Sequence, residues 1–297
     1  MRVTFDMAFR NGLADINRAA DVFQRAQREV SSGKRLHAPS DDPSATAEVI
    51  GEYSEQRRLD SYAKASDSVA SRLAVADSVL SDAILRIQDA QVRAAAANNS
   101  FLPQSQRDAL ALEVEGIRDA LLTAINQQFR GTYLFSGEQL TTPPYQRDAL
   151  GVIGPYQGNA GSQRIDVDRT RSIAVTFDGS AVMGDLFDSL DQLATAVRAG
   201  NTAGPGFTVS DGLARLGEAF DRATTMQSRV GAALNDVDEQ QARLAEVKRA
   251  SVVRRSALEE ANMAEAITRM QQADTALQAA LAAVSKSSRP SLLDYLT

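Results

Sequence analysis

The stretch Val30-Ser31-Ser32-Gly33-Lys34-Arg35-Leu36-His37-Ala38-Pro39-Ser40-Asp41-Asp42-Pro43 decides the fold, because it ends one helix and begins another. Gly33 is suited to the left-handed conformation that closes a helix. Asp42 is placed as an N-cap, with Pro43 at the first helical position, where a missing N–H does no harm. Upstream, Phe9, Leu13, Ile16, Ala20, Phe23, Gln27 and Val30 alternate in steps of four and three, and only Gln27 interrupts the apolar stripe. Downstream, Tyr62, Ser66, Val69, Leu73, Ala76, Leu80, Ala83 and Ile87 keep the same spacing. A second helix is therefore predicted over about 43–97, roughly 80 Å long at 1.5 Å per residue.

Asn98-Asn99-Ser100-Phe101-Leu102-Pro103 breaks that helix. Ser105, with Asp108 three residues later, is the candidate N-cap of a third helix carrying Leu110, Val114, Ile117, Leu121, Ala124 and Gln128. The short connection predicts an antiparallel hairpin of helices two and three. After about 130 the composition shifts. Gly131-Thr132-Tyr133-Leu134-Phe135-Ser136-Gly137 is β-prone, Gln163 to Asp168 and Ile173 to Phe177 alternate like half-buried strands, and Gly158-Asn159-Ala160-Gly161 reads as a hairpin turn. Leu186, Phe187, Leu190, Leu193, Ala194 and Val197 form one short helical face, so 137–206 reads as a small α+β insertion. From about 211 to 285 the helical pattern returns without a proline, roughly 110 Å of potential helix. Val230, Val237, Leu244 and Leu258 hold heptad-related positions, and Met263, Ile267, Met270, Asp274, Leu277, Leu281 and Val284 step four and three throughout.

The expected fold is mainly α: a long antiparallel helical bundle or coiled-coil rod built from both chain ends, with a small inserted α+β or β-rich domain. The expected segments are 1–42 with 259–297 (terminal helices), 43–136 with 211–258 (bundle) and 137–210 (insertion). The first and last helices carry similar stripes and can pair. A two-helix unit of about 25 residues per arm is marginal alone and cannot bury all its apolar surface. That points to burial against other subunits.

Composition excludes much else. The 297 residues include no cysteine, no tryptophan and one histidine, and carry a formal net charge of −6. Disulfides, thiol nucleophiles and multi-histidine metal sites are out. The charge argues against general nucleic-acid binding. No apolar run is long enough for a membrane span, and Met1 to Asp6 lacks the apolar core of a secretory signal. A cytosolic protein is expected, or one exported by a route that ignores such signals. His37 beside Asp41 and Asp42 reads as a solvated turn rather than an acid–base pair. Asp166, Asp168 and Asp178 read as solvent-facing carboxylates rather than a metal site. Arg243, Lys248, Arg249, Arg254 and Arg255 are diluted by Asp236, Asp238, Glu239, Glu246, Glu259 and Glu260, the pattern of a salt-bridged helix face. No phosphate or dinucleotide loop occurs. No catalytic group, cofactor or metal is expected, and the chain does not read as an enzyme.

The residues themselves carry a resemblance. Val30 to Leu36 followed by Pro39 to Pro43 resembles the N-terminal signature of flagellins and their relatives. Leu258 to Ile267 and Gln271 to Ala280 are similar to the family's C-terminal segment. The ending Ser291-Leu292-Leu293-Asp294-Tyr295-Leu296 and the stretch Gly131 to Gly137 resemble one branch, the flagellin-like hook-associated proteins of the hook–filament junction. The residues before Phe9 lack the Asn-Thr-Asn start common in flagellin, which favours that branch. The resemblance covers roughly 1–137 and 211–297.

It implies a structural subunit of the bacterial flagellum, outside the cell and exported without a cleaved signal peptide. It would act as an adapter between a hook-side hook-associated protein and the flagellin filament, alongside its own copies in a ring. The family's terminal helices form the inner tube of a helical assembly and fold on assembly. By that implication Phe9, Leu13, Ile16, Phe23 and Val30, with Met263, Ile267, Met270, Leu277, Leu281 and Val284, are the subunit-interface residues. A cytosolic export chaperone would bind Met263, Ile267, Met270, Leu277 and Leu281 together with Leu292, Leu293, Tyr295 and Leu296. Gln27 and Asp274, polar within the stripes, would set register. No nucleic acid and no membrane insertion enter this picture. The alternatives are a flagellin filament subunit and, from another class, a helical-hairpin scaffold or signalling protein. The inserted region and the missing span argue against the second.

Overall fold

The computed structural model describes residues 2–99, 101–149, 151–200 and 206–287. Their elements, in chain order, are α1 (Arg2–Ser32), α2 (Pro43–Ala97), α3 (Gln104–Ile125), β1 (Gln128–Phe129), β2 (Thr132–Tyr133), β3 (Arg164–Asp166), β4 (Ser172–Ala174), α4 (Gly179–Met183), α5 (Leu186–Arg198), α6 (Val209–Glu259) and α7 (Met263–Ser287). The fold is mainly α, with long helices from both ends of the chain and a small β-containing insertion. It divides into two compact units, Met1–Arg58 with Val247–Thr297 and Leu59–Glu246.

In the unit Leu59–Glu246, α2 supplies Val69, Leu73, Leu80 and Ile87 to a core that also holds Val114, Leu121 and Ile125 of α3 and Val230 and Val237 of α6. Arg93 of α2 pairs with Glu113 of α3 at 2.8 Å. All six apolar residues expected on one face of α5 are buried. Three local expectations are corrected. Ser105 does not cap α3: the helix starts at Gln104 with Pro103 in the capping position, and the Pro103 carbonyl accepts the Gln106 and Arg107 N–H groups at 3.1 Å each. Gln128 does not extend the α3 stripe, because the helix ends at Ile125 and the chain turns into the β1–β2 hairpin. That turn places Arg130 and Gly131 at φ 49° and 80°, as a two-residue primed turn requires.

Gly158 to Gly161 is not a hairpin turn either. The hairpin is β3–β4, paired in register Arg164↔Ala174, Ile165↔Ile173 and Asp166↔Ser172 and closed by Val167 N–H to the Arg171 carbonyl at 2.9 Å. The 158–161 loop instead packs on residues 136–138, and Asn159 Oδ1 accepts the Glu138 N–H at 2.8 Å. A Cβ on Gly137 would meet the Asn159 carbonyl oxygen at 2.1 Å, so only glycine fits that approach. Tyr156 sits beside it, donating to the Phe135 carbonyl at 3.0 Å, and burial pushes its hydroxyl up to about 12. Asp178 accepts the Ser180 N–H at 2.8 Å as the N-cap of α4.

In the unit Met1–Arg58 with Val247–Thr297, α1 and α7 pack together. Glu29 lies beside Arg269, and Gly12 lies beside Val284, so the two helices run antiparallel. The helical pattern over 211–285 is not one helix. It breaks at Glu260-Ala261-Asn262, and Asn262 caps α7 by accepting the Ala264 N–H at 3.2 Å through Oδ1. Glu265 stands three residues after Asn262, a capping pattern that marks the break in the sequence.

Candidate functional site

The stretch that decides the fold also builds the best-defined polar feature of its unit. Gly33 ends α1 at φ 69°, with its N–H on the Glu29 carbonyl at 3.0 Å. The loop after it pairs with the α6–α7 break: Arg35 N–H donates to the Glu259 carbonyl at 2.8 Å, and Ala261 N–H donates to the Gly33 carbonyl at 2.9 Å. The Glu259 carboxylate holds this clasp. It accepts the Lys34 ammonium and, at 3.3 Å, the Tyr53 hydroxyl, and it faces Arg255 at 3.8 Å. Lys34 responds with a raised pKa, chiefly through its hydrogen bond to Glu259. The Arg255 guanidinium stacks over Tyr53 at 4.8 Å and donates to Gln56 at 2.7 Å. Next to it, Glu52 accepts Arg254 at 2.8 Å and Ser251 at 2.5 Å, and Arg254 holds its carboxyl below the usual range.

The loop itself is self-capped. Asp41 accepts the N–H groups of Ala38 and His37 at 2.9 and 3.0 Å, and those bonds lower its pKa. Asp42 caps α2 through Ala45 N–H at 3.0 Å and the Ser44 hydroxyl at 2.9 Å, and it too is lowered, chiefly by Ala45. His37 bonds Ser32 at 2.8 Å, so this histidine belongs to the turn. Asp168 accepts the Arg169 N–H at 2.6 Å beside the β3–β4 turn. Arg243 pairs with Glu239 at 3.3 Å, in line with a salt-bridged helix face. Among the described residues, no helix is long and apolar enough to cross a membrane.

The clasp brings the expected interface residues together on the α1–α7 pair. Phe9 and Leu13 keep 40% and 43% of their surface exposed, and Met263, Ile267 and Leu281 keep 43%, 40% and 49%. Ile16, Phe23, Val30, Met270, Leu277 and Val284 are half-buried. The fully buried positions are alanines instead: Ala26, Ala266 and Ala273. Small residues let two helices approach closely, and a reading weighted toward large side chains overlooks them. Gln27 is exposed, while half-buried Asp274 accepts Gln278 at 2.9 Å. Met7 and Val22 add exposed apolar surface at 63% and 55%. Leu292, Leu293, Tyr295 and Leu296, proposed for chaperone binding, lie outside the described residues.

Comparison with known proteins agrees with this layout. Residues 5–140 match the bacterial flagellin N-terminal helical region, and residues 213–296 match the C-terminal helical region. Flagellar hook-associated protein 3 of Escherichia coli is 29% identical over 197 residues, 66% of this chain and 60% of that protein. Its counterpart in Salmonella typhimurium is 27% identical over 187 residues, 63% of this chain and 58% of that protein. The chain thus spans about 60% of the length of the curated relatives it matches.

Among solved structures, a flagellar hook-associated protein of Vibrio parahaemolyticus superposes with a TM-score of 0.65 at 16% identity, covering 74% of this chain and 99% of that one. The flagellar junction protein of Legionella pneumophila gives 0.58 at 14% identity, covering 71% and 99%. These two likenesses show a shared fold. With a flagellin helical region matched at each end, together more than half of its length, the chain belongs to the flagellin family, and the two curated relatives it is similar to are both flagellar hook-associated protein 3.

Proposed function

We propose that this chain is a structural subunit of the bacterial flagellum, an adapter at the hook–filament junction that assembles helically through its terminal helices. One observation carries the reading. The α1–α7 pair leaves Phe9, Leu13, Met263, Ile267 and Leu281 at least 40% exposed. Exposed apolar surface of this kind on a thin helical pair is matched to burial against neighbouring subunits. The names of the curated relatives support a hook-associated role.

On this reading 1–42 with 259–297 form the inner, assembly-forming segment. Residues 43–136 with 211–258 form the bundle around it, and 137–210 form an inserted outer domain. The partners are a hook-side hook-associated protein, flagellin and other copies of this chain in a ring. Before export, a cytosolic chaperone takes the α7 face and the apolar tail. The work is structural, without catalysis, cofactor or metal, and the site of action is the extracellular flagellum.

A deletion strain tests the proposal. Loss of the protein should leave hooks intact while flagellin escapes into the medium, and re-expression should restore filaments. Filaments that persist in the deletion strain contradict it. Intact hooks with no flagellin in the medium would identify a filament subunit instead.

A further inference from the structure

The β1–β2 turn holds a residue that does not favour it. A two-residue primed turn needs positive φ at both central positions and is usually filled by Asn-Gly or Asp-Gly. Here Arg130 takes φ 49° ahead of Gly131 at 80°. A long side chain is strained in the left-handed region, and asparagine much less so.

The strained turn brings its guanidinium to where another already lies. Arg130 and Arg72 of α2 both sit over the ring of Phe129, 5.3 and 5.6 Å from its centroid. Among the described residues, neither is paired with a carboxylate. Arg72 is half-buried and donates to Gln163 Oε1 at 3.2 Å, while its buried Nε has no acceptor. Burial, and after it the charge of Arg130, push its pKa down. Other half-buried arginines of the same unit do find acids: Arg118 takes Asp191, and Arg198 takes Glu115. Two cations held together with no carboxylate between them favour any carboxylate that reaches both. Stacking on the ring restrains the guanidinium planes, and the planar fork of arginine can take a carboxylate through two hydrogen bonds. Restraint of this kind lowers the cost of binding.

Charge indicates what carries that carboxylate. The chain has a net charge of −6. In the same unit, α6 exposes Asp221, Asp238, Glu239 and Glu246 against Arg229 and Arg243. In a helical array each copy presents one patch to a different patch of the next, so a cationic and an acidic patch on one chain are complementary partners. We propose, on the assembly reading above, that Arg72, Phe129 and Arg130 receive a carboxylate from α6 of a neighbouring copy.

Two experiments on the full chain test this contact. Arg130→Asn puts a favoured residue into the turn, so the variant should melt no lower than wild type. In the deletion strain it should nevertheless give fewer filaments and leak flagellin, each contact being weakened on the order of fivefold. Wild-type filament numbers would overturn the proposal, and so would a lowered melting temperature, which would make Arg130 a residue of the turn alone. The second experiment uses the absence of cysteine. Gln128→Cys lies beside the turn, and Thr225→Cys and Ala242→Cys lie among the α6 acids; all three positions are exposed, and Arg130 and the acids stay in place. In isolated flagella, a bifunctional maleimide should link Gln128→Cys to one of the two α6 positions as a ladder of dimers and higher species. No ladder from either pair would overturn the contact, and so would a ladder from the single Gln128→Cys chain, which would set two β1–β2 turns together. Filaments persisting in the deletion strain would sink the assembly reading itself, whereas missing cross-links in a swimming strain would sink only this contact.

Discussion

Replacing Leu13 and Leu281 together by serine should uncouple assembly from folding. The two leucines keep 43% and 49% of their surface exposed. Burying a whole leucine side chain contributes roughly 2 kcal/mol, so the open half of each leaves about 1 kcal/mol to be gained against a neighbouring subunit. The double variant should therefore lose about 2 kcal/mol per subunit contact, close to thirtyfold in affinity. In a helical array every subunit carries the lesion, so the loss recurs at each contact. The assay is complementation of the deletion strain, read by swimming, by filament counts in electron micrographs and by flagellin in the medium. The variant should be produced and exported, swim poorly and leak flagellin. Its main thermal transition should stay in place, because both residues lie outside the unit Leu59–Glu246. Wild-type filament numbers in the double variant would refute the reasoning.

Other outcomes follow from the same structure. Gly51→Ala should stabilise α2 by about 1 kcal/mol, since alanine is the better helix former and nothing lies within 4 Å of its added Cβ. Gly12→Ala should not stabilise, because its Cβ would sit 2.7 Å from Val284 Cγ2, and circular-dichroism melts compare the two directly. Leu80→Ala, in a fully buried position, should cost about 2–5 kcal/mol in denaturant titrations. Acid should weaken the clasp region. Asp41, Asp42 and Glu52 are held below their ordinary values in the folded chain, so their contribution is present above those values and is lost as pH falls through the lowered ones. Lys34 is raised, so its contribution persists through neutral pH and is lost only in strong alkali. Melting temperature should thus hold between about pH 6 and 9 and drop below about pH 4, whereas a decline from pH 5 to 7 would contradict the assignment. Limited proteolysis of the monomer should remove about 30–45 residues from each end and halt near the clasp, and ends that resist cleavage would count against it.

What the sequence disclosed depended on how local the signal was. The bounds of α2 follow from Asp42-Pro43 at one end and the Asn98 to Pro103 breaker at the other, and each signal lies within a few residues of its effect. The α5 face was legible because its six apolar positions all point the same way. The α6–α7 break was harder, since the apolar spacing continues across it without a proline and only Asn262 with Glu265 marks it. The clasp was out of reach for a different reason. Lys34 and Glu259 are 225 residues apart, and nothing near either one names the other. The apolar stripes of α1 and α7 are legible in the sequence, but the tightest contacts between the two helices are not. The heptad reading picks Phe23 and Met270, while close helix approach puts Ala26 and Ala273 at the buried positions. The alternation marks both strands of the β3–β4 hairpin but not their pairing, and the turn chemistry of 158–161 joins neither, because that loop packs on 136–138.

The absence of cysteine makes the central claim directly measurable. A single Leu13→Cys chain that supports swimming can be treated with a maleimide, first as purified monomer and then within isolated flagella. If the exposed face of the α1–α7 pair is the assembly surface, the monomer labels fully and the assembled protein is protected. Equal labelling in the two states would contradict the account.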